Sequence, residues 1–356
     1  MVTLSTAGAH GARVNVRGGG PKVGGEPFTF DQIVGSSAPL QRAVEVARMV
    51  ARARLTTVLL VGETGTGKEL FARGIHCEGP TAAAPFVAVN CAAIPESLLE
   101  SELFGHEAGA FTGAHSRKIG LMELAGCGTL FLDELHHLPP LLQPKLLRAL
   151  EERRVRRLSG SHEISIECRI IAATNVAIED AVHAGTFRED LFYRLNVLRV
   201  DIPPLRDRRD DVEMLARHFL REIARMHDAP VKRLAPETGA RLRAHSWPGN
   251  VRELRNVMER AAVLSGMDPE VRPAHLLIQQ RRTRAGMDRD HRRCVGQIDV
   301  PEGGKTLAAI EREAAVLTLQ LTGGNQSQAA RLLGISRPTL ARIIREGTAV
   351  VEEQAS

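Results

Sequence analysis

The chain has 356 residues, 43% hydrophobic and 25% charged, with a formal net charge of +5 and a pI of about 9.2. That length holds two or three domains with a sizeable core, and the mild basic excess permits a polyanionic partner without demanding one. Five scattered cysteines with no CxxC pair argue against a disulfide framework or a cysteine metal site; there is no apolar run of the ~18 residues a membrane helix needs, and no signal-peptide core.

Residues 1–26 are rich in Gly and Ala, with the run Gly18-Gly19-Gly20-Pro21, and are expected to form a flexible tail. From 27 to 205, apolar runs alternate with helical stretches. The runs are Thr57–Val61, Phe86–Val89, Thr129–Leu132 and Arg169–Ala173, each followed by polar or glycine-rich residues. This is the pattern of a buried parallel sheet with helices on both faces. After Pro203-Pro204 the pattern becomes purely helical, over Asp211–His227, Ala235–His245 and Asn250–Ser265, which predicts a small lid over 206–278. Residues 279–303 form an arginine-rich linker, 304–347 a final helical module, and 348–356 a tail.

The segment Gly62-Glu63-Thr64-Gly65-Thr66-Gly67-Lys68-Glu69 follows one apolar run and opens a helix, the context in which GxxxxGK makes a phosphate-binding loop. Glycines let backbone N–H groups turn inward around phosphates, the helix N-terminus adds positive potential, and Lys68 adds a full charge. Generic loops of this kind place Ser or Thr after the lysine to hold Mg²⁺; here the residue is Glu69, so the metal must lean on another carboxylate. Thr129–Leu132 ends in Asp133-Glu134, where Asp133 is suited to hold Mg²⁺ and Glu134 to polarise the water that attacks ATP.

Between these motifs lies Gly109-Ala110-Phe111-Thr112-Gly113-Ala114, a small-residue turn that offers one aromatic. This hexapeptide resembles the signature of the sigma-54-dependent transcriptional activators, the bacterial enhancer-binding proteins, and the resemblance runs from about Phe30 to Glu346. It implies an α/β AAA+ P-loop NTPase core with a parallel sheet, a helical lid and a C-terminal all-α helix-turn-helix domain of Fis type. It implies further that Phe111 and Thr112 contact sigma-54, and that ATP hydrolysis remodels the closed complex of sigma-54 with RNA polymerase.

Other segments are similar to the family's motifs. By that similarity Asn90, ending Phe86–Asn90, holds Glu134, and Thr174 and Asn175 form sensor I near the γ-phosphate. Arg188 and Arg194 are the arginine fingers that reach a neighbouring subunit's ATP, where a permanently charged planar group suits the charge in transit. Arg252, in Trp247–Leu254, is the sensor II residue; Asn250 is suited to cap that helix with Glu253 at the third position. Fingers in trans require a homo-oligomer, expected to be a hexamer. Departures from the family pattern fall at Cys77–Ala84, at Cys127 and in the unusually basic Arg153–Arg157 of the second pore-loop region.

In the last module, Asn325 and Ser336 are placed to cap two short helices separated by a turn at Gly334, with Leu340, Ile343 and Ile344 on the apolar face. The second helix would offer Arg337, Thr339, Arg342 and Arg345 to the major groove of double-stranded DNA. Ala341, Ile343 and Ile344 stand where the family has tyrosine and basic residues, which implies weaker binding per module, and Thr306–Leu321 is expected to be a dimerisation helix. With only a short tail before the ATPase, no receiver or ligand-binding domain is expected, and control is assigned to a separate regulatory protein or to expression level. The expected location is the cytoplasm, at the nucleoid. The competing readings are a DNA-binding regulator that remodels nothing and an AAA+ chaperone or protease partner acting on unfolded chains; the intact ATPase motifs argue against the first, the hexapeptide and the helix-turn-helix against the second.

Overall fold

The computed structural model describes residues 15–17, 22–23, 26–278 and 305–353, with side chains given for 28–278 and 305–345. The chain divides into two units, 1–278 and 279–356. The first contains a six-stranded sheet of β1 (Asn15–Arg17), β2 (Val58–Val61), β3 (Phe86–Asn90), β4 (Thr129–Asp133), β5 (Arg169–Thr174) and β6 (Leu198–Asp201). Their spatial order is β1-β3-β4-β5-β2-β6, parallel throughout except for β1, which pairs antiparallel with β3.

The four apolar runs read from sequence are the four inner strands. Every residue of β5 is buried, which is what a strand covered on both faces requires. One face packs on α1 (Ala38–Ala51) and α2 (Lys68–Cys77) through Leu40, Ala47, Phe71 and Ile75. The other packs on α3 (Glu96–Phe104), α4 (Gln143–Glu152) and α5 (Glu189–Leu195) through Leu99, Leu103, Leu146 and Leu191. The two edge strands were not foreseen. In Leu198-Arg199-Val200-Asp201 only Val200 is fully buried, so the edge lacks a continuous apolar signature, and Asn15–Arg17 lies within the stretch expected to be a tail.

Two buried side chains fasten α1 at its two ends. Arg169 of β5 is wholly buried, and its guanidinium donates to the carbonyls of Val50 (2.7 Å) and Ala51 (3.1 Å), orphan acceptors at the end of α1. Burial pulls its pKa down to about 10, still well above neutrality. Asp211, also buried, accepts from Ser36 N (2.7 Å), Ser37 N (2.9 Å) and Ser37 Oγ (2.6 Å), so the lid's first helix holds the entry to α1.

The lid comprises α6 (Asp211–Met226), α7 (Pro236–Ala244) and α8 (Asn250–Leu264), packed around a fully buried Trp247 whose indole N–H donates to Leu242 O at 2.8 Å. The second unit holds α9 (Leu307–Leu321), α10 (Gln326–Leu333) and α11 (Arg337–Glu353). Its caps are those expected: Asn325 Oδ1 accepts from Gln328 N (3.2 Å), Ser336 Oγ from Thr339 N (3.3 Å), and Gly334 turns the chain at φ +70°. Leu340 is fully buried against Ala315, Ala329 and Ala330, with Ile343 and Ile344 packed beside them. α11 runs to Glu353, through most of the stretch 348–356 read as a tail. The arginine-rich linker lies outside the described residues, and no described helix is long and apolar enough to cross a membrane.

His76 of α2 is fully buried against Thr129, Nδ1 to Oγ1 2.9 Å, and burial pulls its pKa down to about 4. An unfolded histidine titrates near 6.5, so between those values the unfolded chain binds the extra proton and stability falls as pH falls. Acidification through this window should cost the wild type up to about 3 kcal/mol more than a His76→Gln variant. Urea unfolding of both proteins at pH 7 and pH 4.5 measures the difference; equal losses would assign the acid sensitivity to other groups.

Candidate active site

Three parallel strands end side by side, and their carboxyl ends bring the sequence motifs together. The phosphate-loop residues follow β2, Asp133 closes β4 and Thr174 closes β5, the arrangement in which open α/β sheets bind ligands. Gly67 at φ +105° delivers the chain into α2, whose first residue is Lys68. The ammonium of Lys68 donates to Gly62 O at 2.9 Å and Glu63 O at 3.3 Å. Burial pulls its pKa down, and the facing carboxylates of Glu134 and Asp133 oppose that shift. Asp133 titrates above the usual carboxylate range because it is half-buried and next to Glu134, with Lys68 drawing it down. Lysine and acids therefore share one partly desolvated space. Glu69 stands at its edge, adding to the upward push on Asp133, with its carboxylate paired to Arg73 at 2.6 and 3.0 Å.

Glu134 adopts φ +52°, a left-handed conformation that costs a non-glycine residue about 1 kcal/mol or more and turns the chain sharply off β4. Its Oε2 is buried without a hydrogen bond. The amide that reaches Glu134 is not the expected one. Asn175 Nδ2 donates to Thr64 Oγ1 at 2.8 Å and lies 3.5 Å from Glu134 Oε1, whereas Asn90 Oδ1 accepts from Ala92 N at 2.9 Å in its own turn. Asn90 stands beside Asp133 in the sheet register, yet its side chain is turned to local backbone. Thr174 is fully buried, its hydroxyl donating to Val176 O at 3.0 Å.

The lid grips the phosphate loop at four consecutive residues. Glu63 receives Arg206 (Nη2 to Oε1 2.7 Å), which holds its carboxyl below the usual range, and Asn250 Nδ2 donates to Glu63 Oε2 and Thr64 O, each at 3.1 Å. Gly65 O accepts from Val251 N at 3.0 Å, and Thr66 O from the buried Arg208 at 3.2 Å. The fit at Gly65 is close enough that a Cβ there would stand 2.4 Å from Gly249 O. Asn250 also accepts from Leu205 N at 2.7 Å, so it does not cap α8; Gly249 stands at the cap, and Glu253 accepts from its N–H at 2.8 Å. Arg206 and Arg208 were not anticipated. Nothing local in Pro203–Arg209 signals their role, since the contact that brings Arg208 to Thr66 spans 142 residues. Arg252 is exposed, with its backbone N–H 3.4 Å from Gly65 O.

The hexapeptide forms an outer turn. Gly109 (φ +81°) and Gly113 (φ +103°) bracket it, Gly109 N donates to Ala114 O at 2.7 Å, and Ala114 N to Phe111 O at 3.0 Å. Phe111 is 41% exposed and touches the edge of the His106 ring, centroids 5.0 Å apart. Arg188 sits exposed at the start of α5, paired with Asp190 at 2.6 Å, and Arg194 donates to Leu150 O at 3.0 Å. In the second unit Arg337, Arg342 and Arg345 are exposed, while the Thr339 hydroxyl is engaged by Ser336 Oγ at 2.7 Å.

Three families match along the chain: the sigma-54 interaction domain at residues 33–201, the AAA+ ATPase lid domain at 206–292 and the Fis family of bacterial regulatory proteins at 306–346. The chain belongs to the sigma-54-dependent activators. It is 46% identical over 290 residues to the regulatory protein AtoC of Escherichia coli, covering 82% of this chain and 62% of AtoC. It is 42% identical over 320 residues to the transcriptional regulatory protein FlbD of Caulobacter vibrioides, covering 86% and 68%. Among solved structures, NtrX from Brucella abortus superposes with a TM-score of 0.65 at 34% identity, covering 88% of this chain and 68% of NtrX, and NtrX has also been solved in complex with ADP and with ATP. The chain thus spans roughly two thirds of the length of these activators.

The central role of Asn250 in fastening the lid of this activator is open to test. Asn250→Ala removes three hydrogen bonds and strands the Leu205 N–H, which should destabilise the fold by about 2–4 kcal/mol. Urea unfolding followed by Trp247 fluorescence measures this, and a change below about 0.5 kcal/mol would show that the network does not hold the lid.

Proposed function

We propose that this chain binds and hydrolyses ATP and uses the cleavage to remodel the complex of sigma-54 with RNA polymerase from a position on upstream DNA. One observation carries the reading: the phosphate loop, Asp133, Glu134 and Asn175 converge at the ends of three strands, and the same body displays Phe111 on a glycine-bracketed turn. The ATP and ADP complexes of NtrX support the nucleotide.

The residues present fit a triphosphate. Gly65 and Gly67 hold left-handed conformations that leave the loop backbone free to curve around phosphates, and Lys68 stands within the same buried space as two carboxylates. Asp133, with a carboxylate oxygen 3.0 Å from Glu134 N, would hold Mg²⁺, whose charge offsets that of the phosphates when it is bound. The orphaned Oε2 of Glu134 is free to accept a hydrogen bond from the attacking water. Attack on the γ-phosphorus forms a P–O bond as the bond to the bridging oxygen breaks, giving ADP and inorganic phosphate. Asn175, touching both Thr64 and Glu134, links the phosphate end of the loop to the group that orients water.

Arg252, which opens α8 beside Gly65, would sense phosphate within the subunit. Arg188 and Arg194 would serve a neighbouring subunit in a homo-oligomeric ring, and Arg188 is the better placed, being exposed with its guanidinium on Asp190. Arg337, Arg342 and Arg345 would contact DNA, with Thr339 contributing structurally through the Ser336 cap.

Two variants separate motor from coupling. Lys68→Ala should lower ATP hydrolysis roughly 100-fold or more by removing a charge aimed at the phosphates. Phe111→Ala should leave hydrolysis within about twofold while abolishing capture of sigma-54 in the presence of an ATP transition-state mimic. Sigma-54 capture that survives both changes, with promoter activation intact, would favour a regulator that binds DNA without remodelling polymerase.

A further inference from the structure

The stretch after Glu134 has chemistry that nucleotide hydrolysis does not use. Leu135–His137 is a single 3₁₀ turn, closed by hydrogen bonds from His137 N to Glu134 O and from Leu138 N to Leu135 O, both 2.9 Å. Three residues per turn bring positions 134 and 137 onto one edge, while the fully buried Leu135 pins the turn to the core. The left-handed backbone of Glu134 swings its carboxylate toward the same side. As a result Glu134, His136 and His137 each present one ligand atom, and the three atoms lie within 4.8 Å of one another. The imidazole rings are 4.1 Å apart between centroids, and His136 Nδ1 is 3.6 Å from Glu134 Oε2, the oxygen that has no hydrogen bond.

We propose that Glu134, His136 and His137 bind a zinc-class divalent transition-metal ion that withdraws the Glu134 carboxylate from catalysis. Two imidazoles and one carboxylate are a donor set that suits Zn²⁺ or Co²⁺ and discriminates against Mg²⁺, which prefers oxygen ligands. Tetrahedral coordination with bonds of about 2 Å sets ligand atoms about 3.3 Å apart, so contraction from the present spacing needs side-chain rotation of an ångström or so. His137 is exposed and gives the ion an approach from solvent. With Oε2 on the ion, the oxygen that would accept from the water is occupied and the carboxylate is a weaker base, so hydrolysis is suppressed while the phosphate loop still takes up ATP. This consequence rests on the role proposed for Glu134; binding of the ion does not.

The test uses the full-length chain, stripped with a chelator and titrated with Co²⁺. One equivalent should bind with the visible absorption of imidazole-ligated cobalt, and His137→Ala should weaken it at least tenfold, as should His136→Asn, with circular dichroism verifying both folds. Zn²⁺ at the same stoichiometry should suppress hydrolysis of Mg²⁺-ATP in the wild type at least tenfold, leave binding of a fluorescent ATP analogue unchanged, and spare His137→Ala, whose metal-free activity equals that of the wild type. Co²⁺ spectra that are identical in the wild type and both variants would overturn the site. Equal inhibition of the wild type and His137→Ala would overturn it as well, since the ion would then be acting elsewhere, for example in place of Mg²⁺. Co²⁺ bound through His137 with hydrolysis undiminished would keep the metal site and overturn the role of Glu134.

Discussion

The lid's hold on the phosphate loop is the constraint around which the first unit is arranged. A glycine-rich loop has backbone groups with few partners of its own, and buried backbone carbonyls must be satisfied. Here the acceptors of Thr64, Gly65 and Thr66 are met from the lid, by Asn250, by the N-terminus of α8 and by Arg208, while Arg206 neutralises Glu63. The loop cannot change shape without altering those bonds. The lid answers to the loop through α8 and, by way of Asp211, to the start of α1. Mechanical coupling is thus a by-product of paying the hydrogen-bond debts of a loop that must stay open to phosphate.

Much of this architecture was legible in the chain because each feature was local. Strands buried on both faces show up as unbroken apolar runs, and the caps Asn325 and Ser336 signal within three residues of their targets. The edge strand Leu198–Asp201 lacked such a signature because half of it faces solvent. Local reasoning also misjudged Asn250. Its sequence position fits a cap, but its φ of +51° and its partners at Leu205, Glu63 and Thr64 belong to tertiary structure.

The site was readable to a similar depth. The motif residues Lys68, Asp133 and Glu134 meet because each motif follows or closes a parallel strand of one sheet, and parallel strands deliver their carboxyl ends to one edge. Which amide attends Glu134 was not readable. Asn90 ends β3 and Asn175 follows β5, the strands on either side of β4, and the two side chains turn to different partners. Glu69 likewise is drawn to Arg73 one helical turn on, a pairing that helix geometry favours.

The outer turn carrying Phe111 is attached very differently from the sheet beneath it. Among the described residues no atom beyond the chain neighbours lies within 4 Å of where a side chain at Gly109 or Gly113 would begin, and the turn is held by four backbone hydrogen bonds and one aromatic contact. Such contacts sum to roughly 3–7 kcal/mol, which keeps displaced conformers below about 1% of the population. The turn therefore samples rearranged shapes spontaneously while the sheet stays intact. A binding partner has only to select among shapes that thermal motion already visits.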